Sequence, residues 1–214
     1  MDTNPWLQAQ VRQADLDEDD ESVEEPATRP AGLEPQPACV SVPRSPDRFP
    51  RREIYTAIER DTRLWWLGVH GGAGETTLEQ LLEGSRAAGH AWPIVPSGEG
   101  PPARVILVAR THARGLRAAQ LAATEWASGD VPVHLEGLVL LADAPGRLPK
   151  ALRQFCRLVS GGVPRVWELP WVEEWRIGAP VSEDTAPKDV GRLLEHLRSA
   201  CLVPTSSTNN HHPT

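Results

Sequence analysis

The sequence predicts an α/β fold in which a mostly parallel β-sheet is covered by helices on both faces, giving three layers. Segments with strand character alternate with segments whose apolar residues recur at helical spacing. The strand segments are nearly continuous apolar runs, which is typical of parallel strands buried on both faces. With 214 residues, the chain has room for one such domain and for additional segments at its ends.

The alternation begins with a short amphipathic segment around Ile54, Tyr55 and Ile58. The apolar run 64–69 then predicts a buried strand, and a glycine-rich turn follows it directly. Residues 76–88 carry leucines at helical spacing, and Gly89 stands where a C-cap glycine belongs, so a helix is predicted there.

The same pattern recurs toward the C-terminus. Further strands are predicted at 104–109, 138–141 and 163–169, with a fifth candidate at 92–95. Further helices are predicted at 113–126, at 148–159 and after Pro187.

The two ends differ in composition from this central part. Residues 1–47 contain eleven of the 29 Asp and Glu residues but only three of the 22 Lys and Arg residues, so this segment accounts for about the whole net charge of −7. Acidic and proline-rich sequence cannot bury enough apolar area to offset the entropy of ordering it. We therefore predict a disordered arm at 1–51, an α/β domain at 52–203 and a disordered tail at 204–214. The arm is either a solvated segment or an acidic docking segment for a basic partner.

Composition also restricts the function classes. No long basic stripe is visible in the sequence, which disfavours nucleic-acid binding. The three cysteines are widely separated, which favours neither a disulfide framework nor a zinc site. The sequence shows no membrane span and no signal peptide, so a cytoplasmic protein is expected.

The glycine-rich turn is the strongest functional pattern. It reads His70-Gly71-Gly72-Ala73-Gly74-Glu75-Thr76-Thr77 and lies between a predicted strand and a predicted helix. In that context the main-chain amides of a glycine loop can surround a phosphate.

In spacing, this segment resembles the deviant Walker A loop of the ParA/MinD family of partition and positioning ATPases, whose pattern is Lys-Gly-Gly-x-Gly-Lys-Thr-Thr. Gly71, Gly72, Gly74, Thr76 and Thr77 match the pattern, whereas His70 and Glu75 replace its two lysines. The resemblance implies a P-loop NTPase-like fold and a nucleotide site formed by residues 71–77, with Ala73 at the variable position.

Glu75 is the more serious replacement, because the family's lysine at this position clamps phosphate. Two like charges about 4 Å apart repel by roughly 4 kcal/mol at an effective dielectric constant near 20, and about 1.4 kcal/mol is a tenfold change in affinity. A carboxylate at a helix N-terminus is otherwise stabilised by free amides and by the helix dipole. Glu75 is thus interpreted as a built-in anion in place of the phosphate; surviving nucleotide binding and a plain turn are the alternatives.

Other segments extend the resemblance over roughly residues 64–180. Residues 104–111 with 116–120 are similar to a later strand and helix of the family, and 166–171 to its closing strand and proline turn. Asp143 resembles the aspartate that holds the Mg²⁺-bound water, but it comes late in the family order. Either it is a metal-side residue in a rearranged order, or the metal-binding strand was deleted and Asp143 starts a turn.

Two functions from different classes follow. The first is a pseudo-NTPase adaptor or regulator, without a cofactor, that binds a protein partner in plasmid, chromosome or secretion-machinery positioning and that could form a homodimer. The second is a weak Mg²⁺-dependent ATPase in which Thr76 ligates Mg²⁺, Asp143 orients its water, and Arg110 or Arg114 replaces the missing lysine in holding ATP. The whole chain also resembles an uncharacterised family of small P-loop-like proteins found near mobile-element genes of high-GC bacteria.

Two smaller features have ordinary structural interpretations. Most tryptophans are expected in the core, although Trp171 and Trp175 could form an exposed patch for a protein partner. His112 follows a predicted strand end and is interpreted as a loop histidine with its hydrogen bonds satisfied.

Overall fold

The structure is a computed structural model that describes residues 48–201. The predicted tail and nearly all of the predicted arm lie outside these residues. The strands are β1 (Arg51–Glu53), β2 (Leu64–Gly68), β3 (Ser85–Ala87), β4 (Trp92–Ile94), β5 (Arg104–Arg110), β6 (His134–Leu141) and β7 (Val166–Leu169). The helices are α1 (Ala57–Arg60), α2 (Glu75–Leu81), α3 (Ala113–Ala127), α4 (Lys150–Ser160), α5 (Glu173–Arg176) and α6 (Lys188–Cys201), with a 3₁₀ turn at Glu183–Thr185.

Five strands form one parallel sheet in the order β3-β2-β5-β6-β7. Strands β1 and β4 form a separate parallel pair. The predicted α/β class with a mostly parallel sheet is therefore confirmed. Because all five strands point the same way, the loops that follow β2, β5, β6 and β7 meet at the carboxyl edge of the sheet, where open α/β sheets place their ligand sites.

The core has two layers, one on each face of the sheet. Alternate residues of β2 divide between them, since Trp65 and Leu67 join the cluster under α3 and α4, whereas Leu64 and Trp66 join the cluster under α2 and α6. This division explains why the strands are apolar at every position rather than at every second one. Trp65, Trp66, Trp92 and Trp126 are buried, whereas Trp167, Trp171 and Trp175 are half-buried.

The helix after the glycine turn is shorter than predicted. It ends at Leu81, and residues 85–87, which the sequence assigns to the same helix, form strand β3 beside β2. Gly84 adopts a left-handed φ of 80° and its carbonyl accepts from Arg63 N, which turns the chain back along β2. The indole Nε1 of Trp66 then donates to Ser85 Oγ at 2.8 Å. Tertiary pairing thus overrides the helical spacing of the leucines.

The candidate strand at 92–95 is present as β4, but it pairs with β1 and lies outside the main sheet. The fifth strand of the main sheet is instead the edge strand β3, which the sequence did not predict. Among residues 48–201, no helix has the length and apolar character needed to cross a bilayer.

Candidate functional site at the glycine turn

The glycine turn connects β2 to α2 at the carboxyl edge of the sheet. Ala73 N donates to His70 O, and Gly72 and Gly74 take left-handed φ angles of 73° and 107°. Both angles favour glycine, since a Cβ is strained in that region. Gly71 and Gly72 are exposed, and a Cβ built on either would touch nothing within 4 Å. The tip of the turn is therefore open to solvent.

Glu75 is the first residue of α2, and its carboxylate points beneath the turn. The side chain is buried, and Oε2 accepts a 2.7 Å hydrogen bond from the main-chain N of Gly68, the last residue of β2. His90 lies beside this pair, with Nδ1 at 2.6 Å from Gly68 O and at 3.5 Å from Glu75 Oε1. The carboxylate thus binds the end of the strand, not the amides of residues 71–74 as the built-in-anion interpretation expects.

Gly68 leaves the space that this contact needs. A Cβ at Gly68 would lie 2.9 Å from both Cδ and Oε2 of Glu75, and 3.2 Å from Cε1 of His90. The carboxylate of Glu75 therefore fills the space beside Gly68 that a side chain at position 68 would occupy, and the hydrogen bond to Gly68 N holds it there.

Arg110 reaches the turn from the end of β5. Its Nε donates to Gly72 O at 2.9 Å, and its Nη1 donates to Ala142 O at 3.2 Å. The guanidinium therefore connects the turn to the residue after β6. Of the two arginines considered from the sequence, Arg110 is the one with a hydrogen bond to the turn, whereas Arg114 is exposed in the first turn of α3.

His70 replaces the first lysine of the resembled pattern and turns inward. Its Nε2 accepts from Arg110 N at 3.0 Å, while Nδ1 lies 3.0 Å from Gly71 O. These two contacts fit a neutral ring with its proton on Nδ1. The ring also lies 4.8 Å from that of His112 between centroids. His112 caps α3, with Nδ1 accepting from Gly115 N at 2.9 Å, so it has the satisfied structural contact predicted for it.

The position of His70 predicts loss of stability in mild acid. Burial, and then the nearby His112, Arg110 and His90, lower the pKa of His70 below its ordinary value. The unfolded chain therefore takes up this proton at a higher pH than the folded chain, so the stabilisation is present above the ordinary histidine pKa of about 6.5 and is lost as the pH falls below it. We expect the urea midpoint to fall between about pH 7.5 and pH 5.5, and to fall less in His70→Gln. His134→Gln, a change at a solvent-exposed histidine, is the control and should show the same fall as the native chain. Equal falls in His70→Gln and the native chain would contradict the assignment.

Thr76 and Asp143, the two residues considered for Mg²⁺, are both exposed. Asp143 N donates to Thr111 Oγ1 at 3.2 Å, and β6, which precedes Asp143, is separated from β2 by β5. The end of β6 nevertheless reaches the turn, because a Cβ at Gly74 would lie 3.0 Å from Cδ2 of Leu141. Within residues 48–201, no group of three or more His, Cys, Asp or Glu residues is placed to hold a metal ion.

The two remaining residues of the predicted nucleotide site differ in exposure: Ala73 is buried, and Thr77 is half-buried.

The sequence did not indicate Gly68, His90 or Gly115 as part of the site. His90 adopts a left-handed φ of 62°, which is uncommon outside glycine, and a long-range partnership between His90 and Gly68 leaves no pattern in the sequence.

The fold and the turn together define a parallel α/β protein with a glycine-rich strand-to-helix connection at the carboxyl edge of its sheet. Residues 62–193, more than half of the chain, match the model of a family of unknown function, DUF6668. The chain therefore belongs to the DUF6668 family. Comparison with curated proteins gave no match, and comparison with solved structures gave none either.

Proposed function

We propose that this protein is a pseudo-NTPase of ParA/MinD-like ancestry that acts as an adaptor or regulator by binding a protein partner. The observation that carries the proposal is the burial and hydrogen bonding of the Glu75 carboxylate. At the position where the resembled loop has its phosphate-clamping lysine, the chain has a buried carboxylate with a 2.7 Å hydrogen bond to Gly68 N.

Electrostatics supports this proposal. A nucleotide phosphate in the turn would lie close to the Glu75 carboxylate, and like charges about 4 Å apart repel by roughly 4 kcal/mol at an effective dielectric constant near 20. The side chain has no free route away from the turn, because the hydrogen bond to Gly68 and the flanking His90 hold it there. His70, in place of the first lysine, is also engaged within its own chain.

The partner surface would include the exposed tip of the turn at Gly71 and Gly72. A backbone held in a fixed shape by Glu75 and Arg110 loses little conformational entropy when a partner binds. We place the protein among plasmid, chromosome or secretion-machinery positioning systems on the resemblance alone, and a homodimer belongs to the same proposal.

The test is calorimetric titration of the native chain with ATP and Mg²⁺, beside Glu75→Lys and Glu75→Gln. The native chain should give no heat of binding, because its carboxylate repels the phosphates. Glu75→Gln removes the charge and keeps an oxygen that can accept from Gly68, so it separates repulsion from a change of shape. Binding by the native chain with a Kd of about 1 μM, equivalent to about −8 kcal/mol, would overturn the proposal.

A second candidate is the weak Mg²⁺-dependent ATPase, and it is favoured by one contact, the 2.9 Å bond from Arg110 Nε to Gly72 O. That guanidinium could offset the charge of Glu75 and take the place of the lysine on the phosphates. If this candidate holds, the native chain binds ATP, Arg110→Ala abolishes the binding, and Arg114→Ala, which removes an exposed arginine of the neighbouring helix, leaves it unchanged. Equal losses in the two variants would exclude Arg110 as the substitute cation.

A further inference from the structure

The exposed charged residues of helices α3 and α4 are all positive. Both helices pack on the same face of the sheet and contact each other. We call the six exposed basic residues of this surface the basic face: Arg114 and Arg117 of α3, Arg147 before α4, and Lys150, Arg153 and Arg157 of α4.

These cations are unpaired within residues 48–201. None of the six forms an ion pair there, although Arg48, Arg52 and Arg60 all do. The sequences of α3 and α4 contain a single acidic residue, Glu125, and its side chain is fully buried. A surface of one sign attracts an anionic partner.

The six residues are gathered by the parallel arrangement of the two helices. Each helix follows a parallel strand and so begins at the carboxyl edge, and Gly162, just after α4, lies beside Ala123 in the later half of α3. Lys150, Arg153 and Arg157 are three and four residues apart and therefore lie on one side of α4. Arg114 and Lys150 also occupy first turns, where positive charge is unfavourable for the helix dipole and a bound anion would relieve it.

The described chain begins beside the last turns of α3, at the opposite end of that helix from Arg114 and Arg117. Phe49 N donates to Glu125 Oε2 at 3.0 Å, and Arg48 pairs with Asp130 at 2.7 Å, so the chain arrives at the last turns of α3. Residues 15–25 contain eight Asp or Glu residues and no Lys or Arg. The 22 intervening residues, 26–47, can span at most about 75 Å. The 15 residues of α3 extend over only about 22 Å.

We propose that the basic face is the docking surface for the acidic segment 15–25 of the same chain. The charges are complementary: residues 1–47 carry about −8, while the rest of the chain is nearly neutral and exposes six cations without ion pairs on this face. Leu158, which is 64% exposed beside Arg157, offers an apolar contact for Leu16 or Val23 of the segment. Covalent connection favours this occupant over a separate polyanion such as a nucleic acid, because a tethered segment has an effective concentration on the order of millimolar.

The two lysines of the chain supply an internal control. Lys150 belongs to the basic face, whereas Lys188 is exposed at the start of α6 on the opposite face of the sheet. A carbodiimide joins a carboxylate to a lysine amine only where the two groups touch. We would treat the full chain with carbodiimide and identify the joined peptides by mass spectrometry.

At about 10 mM salt, where the Debye length is about 30 Å, we expect residues 15–25 to join to Lys150 several-fold more than to Lys188. At about 1 M salt, where it is about 3 Å, that excess should disappear. The double variant Arg153→Glu, Arg157→Glu should abolish it at low salt, whereas Arg192→Glu, an exposed change on α6, should leave it intact.

Three results would overturn the proposal. The first is equal joining to Lys150 and Lys188 at low salt. The second is joining only between chains, seen as mixed-mass pairs when ¹⁴N and ¹⁵N chains are combined. The third is a duplex DNA oligonucleotide that binds through Arg153 and Arg157 of the native chain while no joining of the acidic segment occurs, which would assign the face to nucleic acid.

Discussion

Replacing Gly115 with alanine should destabilise the domain by about 2–3 kcal/mol, at the upper end of the range for overpacking a filled site. Gly115 lies in the first turn of α3, and a Cβ there would lie 2.4 Å from Arg110 O and 2.8 Å from His70 Nε2. The Arg110 oxygen belongs to the main chain at the end of β5 and cannot move aside like a flexible side chain. Relief of the clash must therefore shift α3 away from the sheet or break the bond between His70 and Arg110. Urea unfolding of the two proteins measures the effect.

The same substitution at Gly191 should have the opposite sign. Gly191 is inside α6, and a Cβ there would touch nothing within 4 Å. Alanine is favoured over glycine in a helix interior by about 0.5–1 kcal/mol, so Gly191→Ala should stabilise the domain by that amount. If Gly115→Ala is as stable as the native chain or more stable, the close approach of Gly115 to β5 and His70 is wrong.

Replacing Glu75 with alanine should cost about 2–3 kcal/mol, because it removes the partner of a buried main-chain donor. Gly68 N–H would be left without its acceptor, and an unsatisfied buried donor costs about 1–3 kcal/mol, with charged partners at the upper end. The space vacated by the buried side chain adds to this loss. Amide hydrogen exchange at Gly68 should accelerate with the fall in stability, and urea unfolding should report the total.

Glu75→Gln is the matched control, since its amide oxygen can accept from Gly68 N in the same geometry. We expect it to lose no more than about 1 kcal/mol, the typical worth of a neutral hydrogen bond. A second check comes from Gly68→Ala, whose Cβ would lie 2.9 Å from the Glu75 carboxylate and should displace it. If Gln and Ala at position 75 are equally destabilising, the bond to Gly68 does not hold the turn.

Glu75→Gln also connects the stability of the domain to the proposed function. If Glu75 both braces the turn and repels phosphate, Glu75→Gln should keep most of the stability and lose most of the repulsion. Stability and nucleotide exclusion would then depend on different properties of one side chain, its oxygen and its charge.

Sequence by itself determined the class of the fold and the position of the turn. Apolar runs such as 64–69 and 104–109 predict strands buried on both faces, because each of their residues faces one of two core layers, as Trp65 and Trp66 do. The glycines at 72 and 74 predict a turn, because glycine readily adopts the left-handed φ angles that tight turns require. Both residues have such angles in the structure. These signals are local, so no tertiary information is needed to find them.

Only the tertiary structure decided the rest. Residues 85–87 belong to the helix that the leucine spacing predicts at 76–88, yet they form β3 because β2 offers hydrogen bonds along its free edge. The bond from Arg110 to Gly72 follows from strand order, since the pairing of β2 with β5 brings the end of β5 beside the turn that follows β2. The bond from Glu75 to Gly68 depends on the three-dimensional path of the turn, which folds α2 back over the end of β2. The basic face likewise unites α3 and α4, which are separated in sequence by a strand and its loops. Charge and hydrogen-bond partners are properties of neighbours in space, and a one-dimensional pattern records only neighbours along the chain.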